Sequence, residues 1–273
     1  AERFPASRVW TQLGRVYAKI NAVDSAEQSY EQAIQMDSTN ATAYMWLGQL
    51  YEDEGQLDRA LEYSSEGLRL NPDNPNYRYI VGSELYRNGQ VDTAITLLEE
   101  VTAELPWHAG AHYNLGQAYV RKGMKARGQE FLELADSLQQ AESDISELKS
   151  MSEMNPNVFM NWIKLGDAYR NLGRLDEAMQ AYKTALTLQP WNYALQNNIA
   201  DLTVALGDTV RGIERYIAIL KQNPNLADVW LNLGVAYANS GRYQDAEWAW
   251  NKALDADPDH TMAKDYLSQL EEL

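Results

Sequence analysis

Along residues 159–192 the apolar positions recur with a helical period, break, and recur again. Trp162, Leu165, Gly166 and Tyr169 share one face of a first helix, and Gly173 stops it. Ala178, Tyr182 and Ala185 share one face of a second helix, which Pro190 ends. Large side chains on one helix meet small ones on the other, so the pattern predicts a close antiparallel pair with Trp162 in its packed interior. Such a pair has two apolar faces and covers only one by itself, so it requires a neighbour of the same kind.

The chain supplies several. The pattern begins at Ser7 with Trp10, Leu13, Gly14 and Tyr17, then Ala26, Tyr30 and Ala33. It returns every 34 residues at Ala41, Pro75 and Ala109, and again at Phe159, Tyr193 and Ala227. The sixth copy is the weakest, with Ile199, Ala200 and Thr203 where Leu, Gly and Tyr are usual. Gly55, Gly89, Gly123, Gly173, Gly207 and Gly241 stand where a left-handed residue closes each first helix. Pro72, Pro106, Pro190, Pro224 and Pro258 end the second helices. Gly14, Gly48, Gly82, Gly116, Gly166 and Gly234 differ, because they fall inside a helix, where glycine costs about 1 kcal/mol against alanine. Their recurrence at one frame position predicts close helix packing there.

The fourth copy departs from the frame. No proline stands at position 140, and Met124, Phe131, Leu138 and Ile145 continue at a spacing of seven, with Leu134, Ala141 and Leu148 interleaved. This heptad seam predicts a helix over 125–152, roughly 40 Å long, ending before Asn155-Pro156, with its seam against the chain's own repeats or, alternatively, against another chain. The frame resumes at Phe159, sixteen residues out of phase. The expected organisation is a lead-in at 1–6, four repeats at 7–142, a spacer at 143–158, three repeats at 159–260 and a capping helix at 261–273.

Composition narrows the partners. The net charge is −16 and Lys and Arg nowhere concentrate, which argues against nucleic acid or an anionic membrane surface. There is no Cys, so disulfides, thiolate metal sites and cysteine nucleophiles are excluded. No apolar run approaches the ~20 residues of a membrane span. The sequence begins Ala1-Glu2 without Met, which fits a start processed by signal cleavage or an engineered one; the first gives the expectation of a periplasmic or secreted location, with a cytoplasmic one as the alternative.

The pattern W-x2-L-G-x2-Y, then A-x3-F/Y-x2-A, then P resembles the tetratricopeptide repeat, over seven units and about nine-tenths of the chain. The resemblance implies an all-α fold, a right-handed superhelical solenoid of antiparallel helix pairs. First helices would line a concave groove that binds a segment of a partner protein. The groove residues it implies are Arg8, Arg15 and Lys19 in the first unit, Trp46 in the second and Tyr79 in the third. The fourth offers Tyr113, Asn114, Gln117 and Arg121, and the fifth Lys164 and Asp167. The sixth offers Asn198 and Asp201, and the seventh Asn232. The carboxylate clamp of chaperone-binding members requires Lys and Asn, then Asn, then Lys and Arg in successive units, and no three units supply it. Asn114, Asn198 and Asn232 share one unit position and form a partial amide ladder for an extended peptide backbone.

Catalytic and metal patterns are weak. His108 and His112 have a metal-like spacing, but His108 falls in a turn. Asp255, Asp257 and Asp259 lack the glycine and closing glutamate of a calcium loop. Residues 123–128 lack the Lys and Ser/Thr of a phosphate loop. The sequence therefore reads as a non-enzymatic interaction scaffold without cofactor or metal, binding a protein or peptide partner. The alternative is a structural subunit docking through its convex face, through Trp107, Trp191 and Trp248 as exposed anchors, or through residues 125–152 as an oligomer contact.

Overall fold

The computed structural model describes residues 5–271. The Ala1 start, most of the expected lead-in and residues 272–273 lie outside the described residues. Fifteen helices and no strand occur among those described. The first eight are α1 (Pro5–Lys19), α2 (Val23–Met36), α3 (Ala41–Asp53), α4 (Leu57–Leu70), α5 (Pro75–Arg87), α6 (Val91–Glu104), α7 (Ala109–Arg121) and α8 (Lys125–Met154). The rest are α9 (Phe159–Asn171), α10 (Leu175–Leu188), α11 (Tyr193–Ala205), α12 (Thr209–Gln222), α13 (Ala227–Asn239), α14 (Tyr243–Ala256) and α15 (Thr261–Glu271). The chain forms two compact units, Ala1–Gln140 and Ala141–Leu273, whose boundary falls inside α8.

Each odd-numbered helix from α1 to α5 and from α9 to α13 packs on the even-numbered helix after it, and that helix packs on the next pair. In the first unit α1 also touches α3 and α5 touches α7; in the second, α11 touches α13. The odd-numbered helices therefore line one face of each unit. Helix α15 packs on α14, with Ala263 buried and Tyr266 stacked on Trp250 at 5.1 Å.

The helix-interior glycines sit where backbone meets side chain. A Cβ at Gly166 would lie 2.4 Å from the Tyr182 ring, and one at Gly234 would lie 2.3 Å from Trp250 Nε1. The six punctuating glycines all adopt positive φ, between +73° and +92°, and Asn21 (φ 59°) takes that place in the first copy.

One expectation is corrected. Trp162 is half-buried at the edge of its cluster and not enclosed by it. The reason is a recurring contact: its indole Nε1–H donates to Pro156 O at 2.9 Å, which holds one edge of the ring at the inter-repeat turn. Trp230 does the same to Pro224 O at 2.8 Å, Gln196 to Pro190 O at 2.6 Å, His112 to Pro106 O at 2.9 Å and Arg78 to Pro72 O at 3.0 Å. Four different side-chain types fill this position because the requirement is one N–H donor at the right reach. In α8 the seam is only partly buried: Leu134 is 41% exposed, as is Met124 just before the helix. Its buried positions are Gly128, Ala135, Leu138, Ile145 and Ser152. Ile145 and Leu148 pack with the α9–α10 cluster, and Arg174 holds Glu142 at 2.8 Å. Much of the seam is thus covered by the chain's own repeats.

Candidate functional site

In the first unit the lining face begins with Arg15. Its Nη1 donates to Gln12 Oε1 at 3.1 Å, and its guanidinium lies 4.6 Å from the Trp46 ring centroid, a cation–π distance. Gln49 donates to Glu52 and Asp53, both at 3.0 Å, and Glu52 pairs with Arg87. The Tyr79 and His108 rings meet at a tilt of 45°, with centroids 4.3 Å apart. Asn114 Nδ2 donates to Ser83 Oγ at 2.8 Å, and Ser83 in turn donates to Tyr79 O at 2.7 Å. Arg121 donates to Tyr86 O at 3.1 Å. Tyr113 is 50% exposed. Lys19 is exposed at the end of α1, and Gln117 is half-buried on α7. Arg8 borders a recess of about 590 Å³ with Gln12, Thr42 and Asn40, whose side chain caps α3.

In the second unit the network is denser. Tyr182 donates its hydroxyl to Asp167, and Tyr216 donates its own to Asp201. Asp201 also accepts from Asn197 at 3.2 Å and from Asn232 at 3.1 Å. Burial raises the Asp201 pKa, and the Tyr216, Arg170 and Asn232 contacts pull it back only in part. Arg170 stands 3.9 Å from Asp167. Asn198 borders a recess of about 440 Å³ with Asn197, Tyr193, Asp228 and His260. Lys164 is exposed on α9.

The structure thus brings together Arg15 with Trp46, Tyr79 with Asn114 through Ser83, and Asp201 with Asn232. Asn114 and Asn232 each turn the amide nitrogen sideways, onto the preceding repeat, and neither amide oxygen has a partner among the described residues. The tyrosine hydroxyls that reach the lining face from the second helices were not foreseen. Their signal was the recurrence of Tyr30, Tyr182 and Tyr216 at one frame position.

Of the tryptophans expected as exposed anchors, Trp191 (74%) and Trp248 (50%) are exposed, and Trp107 is half-buried in its turn. Trp248 meets Trp230 edge-on at 5.1 Å beside a recess of about 220 Å³ walled by Ile217, Leu220 and Tyr237. The histidines have local roles. His108 Nδ1 accepts from Ala111 N at 3.1 Å, capping α7, and His260 Nδ1 accepts from Ala263 N at 3.4 Å. His112 is buried, burial lowers its pKa, and its Nε2 donates to Pro106 O. No described helix is long and apolar enough to cross a membrane.

Comparison with known proteins extends these observations. Residues 19–101 match the family model of the anaphase-promoting complex (cyclosome) subunit 3. Human protein O-mannosyl-transferase TMTC3 is 27% identical over 166 residues, covering 60% of this chain and 18% of the human protein. A small glutamine-rich tetratricopeptide repeat-containing protein of Dictyostelium discoideum is 29% identical over 132 residues, covering 48% of this chain and 37% of that protein. The chain thus spans well under half the length of these relatives. Among solved structures, MamA is similar at 24% identity, covering 65% of this chain and 95% of its own, with a TM-score of 0.44. The APC/C hetero-tetramer Cut9–Hcn1 is similar at 18% identity, covering 98% of this chain and 43% of its own, with a TM-score of 0.45. Three tetratricopeptide-repeat models match residues 85–152, 162–192 and 197–261, more than half of the sequence between them. With fifteen described helices arranged as successive pairs, the chain belongs to the tetratricopeptide repeat family.

Proposed function

We propose that this chain is a non-enzymatic protein-interaction scaffold whose odd-numbered helices bind an extended segment of a partner protein. One observation carries the reading. Asn114 and Asn232, at the same repeat position, are each oriented by an N–H bond to the preceding repeat, and each keeps an amide oxygen without a partner among the described residues. An oriented acceptor at a lining position suits the backbone N–H of an extended peptide, and a half-exposed Tyr113 beside Asn114 suits its side chains. Pre-orientation by the scaffold lowers the entropic cost of binding. The transferase activity in the name of the human relative belongs to a protein of which this chain matches 18%. The test is affinity capture from the native lysate with the full chain and with a Tyr113→Ala, Asn114→Ala variant. Captured partners should be lost with the variant, and their retention would remove this face as the site.

A second reading rests on Trp191 and Trp248, whose exposure favours docking through the opposite side of the second unit. In that case Trp248→Ala would abolish capture, and Tyr113→Ala with Asn114→Ala would not.

A further inference from the structure

The first repeat lacks an internal carboxylate that two later repeats possess. Tyr30, Tyr182 and Tyr216 occupy the same repeat position on α2, α10 and α12. In the later two repeats the hydroxyl donates to the aspartate at the ninth repeat position, Asp167 or Asp201. In the first repeat the ninth position is Arg15, a donor and not an acceptor. The Tyr30 ring crosses α1 at Gly14, where a Cβ would lie 2.5 Å from Cε1. Tyr30 is only 1% exposed, and its hydroxyl has no hydrogen-bond partner. Burial pushes the hydroxyl up to about 12, and the charge of Arg15 acts on it in the opposite direction.

The helix that carries Arg15 is basic in a chain of net charge −16. Helix α1 carries Arg8, Arg15 and Lys19 and no carboxylate. The acids of the neighbouring α3 are engaged: Gln49 holds Glu52 and Asp53, and Glu52 pairs with Arg87. Asp37, at the recess beside Arg8, accepts from Thr39 N at 3.0 Å and from Thr39 Oγ1 at 2.7 Å.

We propose that the α1 end of the lining face receives an Asp or Glu side chain of the partner's extended segment, with Arg15 as its cation and the Tyr30 hydroxyl as its donor. The second unit contains the finished arrangement, in which Asp167 accepts from Tyr182 with Arg170 3.9 Å away. A carboxylate that draws Arg15 from Gln12 meets the same pair of groups, and arginine–carboxylate contacts are among the stronger charge-assisted bonds. Lys19 follows Arg15 on α1, is exposed, and favours a further acidic residue on that side. This proposal rests on the peptide-binding reading above and specifies what one end of the peptide carries.

The test pans random decapeptides displayed on phage against the full chain and three variants: Arg15→Asp, Tyr30→Phe, and the Tyr113→Ala, Asn114→Ala pair. The wild-type chain should enrich peptides with Glu or Asp, and calorimetry should show a synthetic enriched peptide binding. Arg15→Asp should weaken that peptide at least about tenfold and the smaller Tyr30→Phe change several-fold. Replacing the peptide's acid with Gln should leave Tyr30→Phe without further effect. Arg15→Asp should melt at or above the wild-type temperature, because the new carboxylate accepts from Tyr30, so the loss of binding is separate from folding. Enriched peptides without acids, or acidic peptides indifferent to Arg15→Asp, would overturn this inference and leave the peptide-binding reading standing. Failure to enrich any peptide would overturn both.

Discussion

Replacing Glu84 by Gln should stabilise the first unit above neutral pH and leave it little changed in mild acid. Glu84 is 1% exposed on α5. Ser64 on α4 donates to its Oε1 at 2.9 Å, and Oε2 has no partner. Burial pushes its pKa from 4.5 to about 7, and the Ser64 bond offsets only part of that. The folded state therefore holds the Glu84 proton more tightly than the unfolded chain. Its contribution is complete below the unfolded value and declines as pH rises through the folded value. A shift of this size corresponds to roughly 3 kcal/mol, at about 1.4 kcal/mol per pH unit. Gln keeps an acceptor for Ser64 and carries no charge to bury. Urea unfolding followed by tryptophan fluorescence, at about pH 5 and about pH 9, gives the two differences. Hydrogen exchange of α4 and α5 amides reads them locally, which matters because repeat arrays do not always unfold as one unit. A Glu84→Gln minus wild-type difference that is flat across this range would refute the argument.

Three further outcomes follow from the packing. Gly166→Ala places a Cβ 2.4 Å from the Tyr182 ring and should cost about 1–3 kcal/mol in thermal or urea unfolding. Gly207→Ala meets no atom within 4 Å but keeps φ at +92°, so its cost of about 1 kcal/mol should come from backbone strain alone. His112→Gln follows the precedent of Gln196 and keeps an N–H for Pro106. The His112 pKa is lowered by burial, so its contribution is present above the unfolded value and is lost as pH falls; the variant should lose less stability below about pH 6.5 than the wild type.

The helix pairs were legible in the sequence because their requirements are local and recur. A left-handed closing residue, a proline that cannot continue a helix and a glycine under a large ring each restrict residue type at one position, and the frame repeats them. The faces that bind were less legible. That Arg15, Trp46, Asn114 and Asn232 lie on lining helices followed from the repeat position. That Asn114 is held by Ser83 and Asn232 by Asp201 required two repeats side by side. Trp162, Gln196 and His112 look unrelated as residue types and become equivalent only when each is seen donating to a proline carbonyl six residues earlier.

By itself, then, the sequence determined the number and order of helix pairs, their turns and the sites of closest packing, all consequences of backbone sterics. Tertiary structure alone decided which polar groups are satisfied. A hydroxyl on a second helix finds or lacks its acceptor according to the residue at another position of the repeat. Tyr182 reaches Asp167, Tyr216 reaches Asp201, and Tyr30 is left beside Arg15 with no acceptor.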